Sequence, residues 1–285
     1  MVRSQVLILA LLGASALAQA PGTAEGTMTV NQATPVRITR AYAHLHDNAE
    51  GVLDTARELR ILLADREQPA DALQGLNLPF AIADRVNEGQ VRGLMIRLDP
   101  AHLNAAVVTL LHKPSQPGMS LVNQTLSNTS APALKRLVVG TDKVEGEIEA
   151  EAEGDPDPDF PKAAYRITFT APITHEPAVT ADLKGKAAQD SPQVAVLRAE
   201  AQALAKGDLK AANACLTDAA RARQEAAMAQ MGAQGAALAK QEGAEMLKSL
   251  KTVARVVVRG DRAAIVFKDR NYMGCVKVGG AWRME

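Results

Sequence analysis

Residues 91–111, VRGLMIRLDPAHLNAAVVTLL, decide the class of the first half of the chain. Two apolar runs, residues 91–98 and 105–111, lie on either side of the turn-like pair Asp99-Pro100. Runs of this length, rich in aliphatic and β-branched residues and bounded by turn signals, are typical of buried β-strands. The stretch therefore predicts two neighbouring strands joined by a tight connection.

The same kind of pattern extends outward from this pair in both directions. Gly, Pro, Asn and Asp separate the runs, and this spacing favours an antiparallel β-sandwich or a barrel over residues 26–180. Two connections, residues 69–76 and 81–87, are candidates for short helices, and residues 114–132 are typical of a loop. The further strand candidates are residues 28–30, 35–45, 59–64, 134–140, 144–152 and 165–170.

The hydrophobic period changes after Ser191-Pro192. Residues 181–193 are polar and rich in small side chains, so they predict a linker. Beyond them, apolar residues recur every three or four positions, which is typical of helices. The predicted elements are helices 194–206, 209–216 and 217–250, followed by strands 253–258, 263–268, 274–278 and a possible fourth, 281–284. Gly232, Gly235 and Gly243 predict a bend or close packing in the long helix. The fold class is therefore α+β.

Three motifs in the last third of the chain carry a family resemblance. They are LAKGDLKA at residues 204–211, CLTDAARAR at 215–223, and Gly279-Gly280-Ala281-Trp282-Arg283. In this order the region resembles the nuclear-transport-factor-2-like superfamily, in the small versions appended to bacterial secreted proteins. The resemblance implies that residues 194–285 form a cone, with helices on the concave face of a curved sheet. It implies no activity, because one fold hosts many functions. The first half resembles no named family.

A cone of this kind would enclose a ligand pocket between its helices and its sheet. We expect that pocket to be lined by Met228, Met231, Leu238, Phe267 and Tyr272. Ketosteroid isomerase, in this superfamily, uses an Asp base with Tyr and Asp donors. The residues of that type here are Tyr272, Asp269 and Asp218, and they do not align with the isomerase pattern. No catalytic residue is therefore predicted.

The beginning of the chain has the layout of a secretory signal peptide. Arg3 precedes the short apolar run VLILALL at residues 6–12, and small residues follow up to Ala20. We expect residues 1–18 to be removed on export, since the run is too short for a membrane span. No cysteine lies beside the cleavage site, so no lipid anchor is expected, and the predicted location is the periplasm or the medium.

The composition excludes some classes of partner. Lys and Arg together number 32, as do Asp and Glu, so the chain has no net charge. This balance gives no attraction for nucleic acid or an anionic membrane. Hydrophobic residues make up 47% of the chain and aromatic residues 3%, so the expected cores consist of Val, Leu, Ile and Ala.

Cys215 and Cys275 are the only two cysteines. In an oxidising compartment an even count favours a disulfide. The alternative is a pair of buried free thiols, because free cysteine packs like a small hydrophobic residue.

His44 and His46 are two residues apart on a predicted strand, so their side chains point to one face. This spacing suits a zinc or copper pair, which Asp47, His102 or His112 could complete. The alternative is two exposed histidines near a strand end, because the pair alone lacks the further ligands that a metal site requires.

Residues 144–159 carry eight acidic residues and no basic one. Glu145, Glu147, Glu149, Glu151 and Glu153 alternate and so share one strand face. Such a face either binds cations such as calcium or is a solvated edge strand whose charges prevent pairing with other chains. The pattern favours the edge strand.

Known catalytic signatures, such as G-x-S-x-G, the P-loop, H-E-x-x-H and C-x-x-C, are absent from the sequence. We therefore predict a non-enzymatic module, without a cofactor, that binds an envelope protein or a small apolar ligand. The alternative is a pocket enzyme or a metal-binding protein that uses His44 and His46.

Overall fold

The computed structural model describes residues 21–31, 33–103, 105–113, 123–125, 133–151 and 162–285. Over this part of the chain the protein is α+β, as predicted, with two antiparallel sheets and helices packed against them. The predicted signal peptide, the loop at residues 114–132 except for a short strand, and the acidic turn at residues 152–161 lie outside the described residues. Among the residues that are described, no helix combines the length and the apolar character needed to cross a membrane.

The first sheet has nine described strands in the order β6-β5-β4-β3-β2-β1-β9-β8-β7. Beyond Gly22, the first residue of β1, β2 and β9 pair directly and in parallel, with Leu45 opposite His175. This pairing brings the end of β2 beside the segment that follows β9. The strands are β1 (Gly22–Val30), β2 (Val36–His46), β3 (Glu58–Ala64), β4 (Gly93–Leu98), β5 (Ala106–Leu111), β6 (Asn123–Thr125), β7 (Ala133–Val139), β8 (Lys143–Ala150) and β9 (Ala163–His175).

The first sheet curls so that one of its faces encloses a single hydrophobic core. Side chains from β1 to β5, β8 and β9 meet there, among them Met28, Ile61, Val108 and Ile167, all with zero exposure. The other face of β3, β4 and β5 is covered by α1 (Leu78–Asn87) through Leu78, Ile82 and Val86. These three strands are therefore buried on both faces, which explains their continuous apolar runs in the sequence.

The second sheet is a five-stranded meander in the order β10-β11-β12-β13-β14. Its strands are β10 (Ala181–Lys184), β11 (Val253–Arg259), β12 (Arg262–Phe267), β13 (Tyr272–Val278) and β14 (Ala281–Met284). The helices between β10 and β11 are α2 (Lys186–Gln189), α3 (Pro192–Lys206), α4 (Leu209–Asn213), α5 (Asp218–Met231) and α6 (Gly235–Ser249). The helix α3 packs against the sheet through Val194 and Leu197, which lie in the same buried core as Val256 and Ile265.

Residues 181–193, predicted as a linker, instead belong to the second sheet and its helices. Ala181 pairs with Val258 and Lys184 with Arg255, so residues 181–184 form an edge strand. Only four residues long and alternately exposed, this strand carries no apolar run that the sequence would reveal. The second unit thus begins directly after the first, and there is little free chain between them.

The helix boundaries follow from local sequence signals. Ser191 and Thr217 cap α3 and α5 by accepting hydrogen bonds from Val194 N and Ala220 N. Gly207 ends α3 in the left-handed region, at φ 77°. The predicted long helix breaks at Gly232 into α5, a 3₁₀ turn and α6, so the expected bend is confirmed.

The acidic strand β8 is not an edge strand, contrary to expectation. It pairs with β7 on one side and β9 on the other. Lys143 on β8 itself lies 2.9 Å from Glu145 Oε2, but the cations beside Glu149 come from the neighbouring strands. Lys135 on β7 contacts Glu149, and Arg166 Nη2 on β9 lies 2.9 Å from Glu149 Oε2. The sequence of β8 alone could not reveal this part of the compensation.

Candidate functional site

The junction between the two sheets contains several buried or half-buried ion pairs. At its centre lies Arg259 on β11, whose side chain is only 6% exposed. Its Nε donates to Glu50 Oε1 at 2.8 Å, its Nη1 donates to the Pro177 carbonyl at 2.7 Å, and its Nη2 contacts Asp47. One guanidinium group of the second unit therefore holds two chain segments of the first, the loop after β2 and the segment after β9.

Other arginines of the second unit also reach the first. Each contacts a carboxylate or a backbone carbonyl that lies in a loop or on α1 of the first unit. Arg223 contacts Asp84, Arg255 Nη1 lies 3.4 Å from the Glu50 carbonyl, Arg262 Nη2 lies 3.1 Å from Asp71, and Arg270 Nη2 lies 2.7 Å from the Leu53 carbonyl. These contacts fix the two units against each other.

Beside Arg259 lies a buried cluster of His44, His46, Glu50 and Glu176. The side chains are 1%, 1%, 5% and 3% exposed. His44 and His46 share one face of β2, as the spacing predicts, and β9 delivers Glu176 to the same place. His46 Nδ1 lies 2.8 Å from Glu176 Oε1 and His44 Nε2 lies 3.1 Å from it. We call these four residues the His–Glu cluster.

Glu176 is held in its ionised form. Burial alone would raise its pKa, but its contacts with His44 and His46 outweigh that effect and hold the pKa well below its usual range. The Gly75 N–H also donates to Glu176 Oε1, at 3.1 Å. For His44 the balance is the opposite, because burial outweighs the contact with Glu176 and lowers the pKa of the ring. The cluster therefore combines a carboxylate with a histidine that burial keeps neutral.

Three buried polar atoms of the cluster have no hydrogen-bond partner: His44 Nε2, His46 Nε2 and Glu50 Oε2. The His44 Nε2 contact with Glu176 is too oblique to count as a hydrogen bond. His46, Glu50 and Glu176 line a small cavity of about 40 Å³, which has room for a few water molecules. The four side chains of the cluster are thus polar and almost fully buried, and the cavity beside them is too small to admit an organic substrate.

The further ligands expected for a metal site at His44 and His46 do not complete one in the structure. Within the described ranges, no group of three or more His, Cys, Asp and Glu side chains is placed to hold a metal ion. His102 is 72% exposed and pairs with Asp99, and His112 lies at the end of β5. Asp47 contacts Arg259 instead. The residues that do join the two histidines, Glu50 and Glu176, have no spacing signal in the sequence.

A larger groove lies between α1 of the first unit and α5 of the second. Its volume is about 460 Å³. One wall carries Phe80, whose 63% exposure is the highest among the exposed large hydrophobic residues, and the other carries Ala219, Ala222 and Ala226. Polar side chains, including Gln74, Asn77, Arg85 and Glu88, surround these apolar positions. The groove is open to solvent and contains contributions from both units.

No protein-family model matches the chain, and neither a curated protein nor a solved structure shows a significant match. The case for a function therefore depends on the geometry of the junction and the groove.

The five residues expected to line a C-terminal pocket do not come together. Phe267 lies in the core of the second unit, at 6% exposure, whereas Met231 and Leu238 lie at the surface of α5 and α6. Met228 packs against Gly235, where the chain turns into α6. Tyr272 faces the junction, and its hydroxyl donates to the Leu76 carbonyl at 2.9 Å. Helix α3 fills the space against the sheet that the resemblance implied as a pocket.

The disulfide expected between Cys215 and Cys275 is not formed in the structure, where both are free thiols. The strand β14 lies between the two cysteines. Its residue Met284 pairs with Cys275 of β13 on one side and forms a bridge with Leu216 on the other. Cys275 and Leu216, the neighbour of Cys215, thus lie on opposite sides of β14, about 10 Å apart given two inter-strand spacings. A disulfide needs Cα atoms within about 7 Å.

The structure also reveals a buried carboxyl group that the sequence did not single out. Glu200, on α3, is 8% exposed. Burial and the neighbouring charge of Glu242 raise its pKa to about 7. The helical period places Glu200 on the buried face of α3, between Leu197 and Leu204, which is the signal that could have identified it.

Proposed function

We propose that this chain is a non-enzymatic binding module that holds a segment of a partner protein in the groove between α1 and α5. The observation that carries the proposal is the groove itself, about 460 Å³ in volume and lined by both units. The arginine contacts across the junction hold the two walls in register, so the groove is formed before any partner binds. Pre-formed sites of this kind bind at a smaller entropic cost.

The chemistry of the groove favours a polypeptide over a wholly apolar small molecule. Phe80 and the alanine positions of α5 provide an apolar strip that suits one or two apolar side chains of a partner. Gln74 and Asn77 flank the strip, and their amides can both donate and accept hydrogen bonds, as a peptide backbone requires. Arg85 provides a positive charge and Glu88 a negative charge at the groove, so a peptide side chain of either sign could pair there. An apolar ligand would instead need an enclosed apolar cavity, and the cores of both units are packed with side chains.

Support for a binding role over catalysis comes from the composition of the groove. Of the described residues that line it, none is a histidine or a cysteine. The acidic residue Asp84 is paired with Arg223 across the groove, and Glu285 accepts from Asn77 Nδ2 at 3.3 Å. Glu88, the third carboxylate of the groove, accepts from Gln90 Nε2 at 2.6 Å. Each of the three carboxylates therefore already has a hydrogen-bond or ion-pair partner.

The finer description of the fold also belongs to this proposal. We interpret the curled first sheet as a sandwich-like unit, since one face meets itself in a single core. We interpret the second unit as a nuclear-transport-factor-2-like cone whose interior is filled, with α3 packed on its sheet. Residues 1–18 would direct export, so the partner would be a protein of the periplasm or the medium.

The groove can be tested with a phage-displayed library of random peptides selected on the full chain. We expect the selected peptides to bind an Ala222→Trp variant at least tenfold more weakly, because the indole fills the groove. Ala237→Trp, on the exposed part of α6, is the matched control and should leave affinity unchanged. Equal affinity for both variants, or a library that yields no binding peptide, would contradict the proposal.

A further inference from the structure

The carboxyl group of Glu200 is buried where α3 meets α6. Its residue is 8% exposed and lies on the same face of α3 as Leu197 and Leu204, which belong to two different apolar clusters of the second unit. Met246, near the end of α6, packs against both clusters. Glu200 therefore lies between apolar clusters in the contact of two helices. Burial there favours the neutral acid over the charged carboxylate.

No cation compensates Glu200 among the described residues. Burial and the charge of Glu242 on α6 both raise its pKa. Cys215, after α4, is its other titratable neighbour, and Arg283 on β14 acts on that thiol. None of the remaining charged side chains on α3 or on the elements packed against it influences the pKa of Glu200; they are Arg198 and Lys206 on α3, Asp208 and Lys210 at α4, Lys240, Glu245 and Lys248 on α6, and Arg262 on β12.

Small residues of α6 make much of the contact that buries Glu200. The buried residues of α6 are Gly235, Ala239 and Gly243, each about one turn from the next on one face of the helix. At Gly243 the two helices approach so closely that an added Cβ would lie 2.4 Å from Ala205 N. Such residues remove little apolar surface from water, so they contribute little hydrophobic free energy. The contact is therefore sensitive to a charge that forms inside it.

Most of α5 depends on the same contact. Ala220 is the one buried residue of α5, and no described side chain in residues 221–234 is fully buried. The half-exposed ion pair of Arg223 with Asp84 is a further attachment. We call residues 221–243 the helical arm. Its α5 part forms one wall of the groove, so a movement of α6 away from α3 would carry this wall with it.

We propose that the carboxyl group of Glu200 is a pH-sensitive latch, which holds the helical arm on α3 as the neutral acid and releases it as the carboxylate. The groove is complete only while the arm is closed, so a bound peptide and the proton of Glu200 favour the same state. This link to the groove rests on the proposed function, whereas the latch is a property of the free protein.

The direction of the pH dependence follows from the two states of the arm. With the arm closed, Glu200 keeps its proton up to about pH 7. With the arm open, the carboxyl group meets water and titrates at about pH 4.3, as a free glutamate does. Opening is thus linked to the release of one proton. The open fraction should rise roughly tenfold per pH unit between these values and level off above about pH 7.

The latch can be tested by hydrogen exchange of the free, full chain between pH 5 and pH 7, with rates corrected for the intrinsic effect of pH. We expect the protection of the amides of α6 to fall about tenfold or more over this range. At pH 7 these amides should exchange at least tenfold faster than those of β11. Equal protection of α6 and β11 at pH 7 would overturn the latch, because the arm would then open only when the whole unit unfolds.

Two variants connect this behaviour to one carboxyl group. Glu200→Gln keeps the size of the side chain and cannot ionise, so the protection of α6 should no longer depend on pH in this way. Glu245→Gln, exposed on α6, is the matched control and should keep the wild-type fall. The same fall in Glu200→Gln as in the wild type would also overturn the latch.

A peptide selected on the full chain tests the link to the groove. Because linkage is reciprocal, a peptide that needs the closed arm also holds the arm closed. At ten times its Kd, the peptide should slow the exchange of α6 about tenfold at pH 7. A peptide that binds in the groove and leaves this exchange unchanged would overturn the link. A library that yields no peptide would contradict the proposed function instead, and the exchange of the free protein would still decide the latch.

Discussion

His46 Nδ1 lies 2.8 Å from Glu176 Oε1, although 130 residues separate the two in the sequence. The contact exists because β2 and β9 pair in parallel beyond Gly22, the first residue of β1, with Leu45 opposite His175. Each histidine or glutamate taken alone is an ordinary strand-end residue. Their meeting is a product of the sheet topology, and it places the buried His–Glu cluster at the point where the second unit attaches.

The first prediction concerns Arg259. Arg259→Ala should destabilise the protein by about 3–5 kcal/mol, because it leaves Glu50 buried without its cation. Chemical denaturation of the purified protein measures the loss. Arg270→Ala removes an arginine that is 54% exposed and should cost about 1 kcal/mol or less. Equal losses in the two variants would mean that the buried pair does not fasten the junction.

Glu200 gives a second prediction, with a definite sign in pH. Burial and Glu242 raise its pKa to about 7, whereas a glutamate in an unfolded chain titrates near 4.3. The folded protein thus holds a proton that the unfolded chain has released. Its contribution to stability is complete below about pH 4 and is lost as the pH rises to about 7.

Replacement of Glu200 by Gln should remove this slope. At pH 8 the variant should be more stable than the wild type by about 3 kcal/mol, since the two pKa values differ by almost three units and one unit corresponds to about 1.4 kcal/mol. Glu242→Gln removes only the neighbouring charge and should give a smaller gain of the same sign. Thermal unfolding at pH 4 and pH 8 measures both. A Glu200→Gln variant that is destabilised equally at the two pH values would contradict this account.

The cysteines give a third prediction. Two free thiols should react with a thiol reagent after the protein is unfolded without reductant, because β14 separates Cys215 from Cys275. In the folded protein Cys275 should stay unreactive, since it is fully buried and its pKa is raised by burial to about 12. Cys275→Ser should abolish one of the two reactive groups. A count of zero thiols in the unfolded protein would instead support a disulfide.

The sequence predicts the structure of some parts of this protein better than that of others. The strands around residues 91–111, the break of the long helix at Gly232 and the shared face of His44 and His46 all follow from local patterns. The prediction of a linker at residues 181–193 missed the strand Ala181–Lys184, because these residues form a strand only by pairing with β11. Likewise, β8 looked like an edge because its balancing cations, such as Lys135 and Arg166, lie on other strands.

The candidate site was less predictable than the fold for the same reason. The period of two on β2 identified the histidines, but Glu50 and Glu176 join them only through a loop and a parallel strand pairing. Arg259 was visible in the sequence only as part of a hairpin turn. Its role depends on the packing of one unit against another, which no local pattern encodes. Phe80 and the alanines of α5 form a groove for the same non-local reason.

The last prediction concerns the contact of α3 with α6. An alanine in place of a helical glycine commonly stabilises a helix by about 1 kcal/mol. At Gly243, however, an added Cβ would lie 2.4 Å from Ala205 N and 2.8 Å from Ala201 O, which are backbone atoms of α3. Neither atom can move aside without moving the whole helix. Gly243→Ala should therefore destabilise the protein by about 2 kcal/mol or more.

Gly235→Ala, at the start of α6, is the matched control. The nearest atoms to its added Cβ are the flexible end of the Met228 side chain at 3.1 Å and the Met228 carbonyl oxygen at 3.2 Å, so no backbone atom lies as close as at Gly243. Met228 can rotate away, so the change in stability should stay within about 1 kcal/mol. Chemical denaturation of both variants makes the comparison. If Gly243→Ala were as stable as Gly235→Ala, the backbones of α3 and α6 would not be in close contact at Gly243. The close approach of the two helices, which also brings Glu200 near Glu242, would then be contradicted.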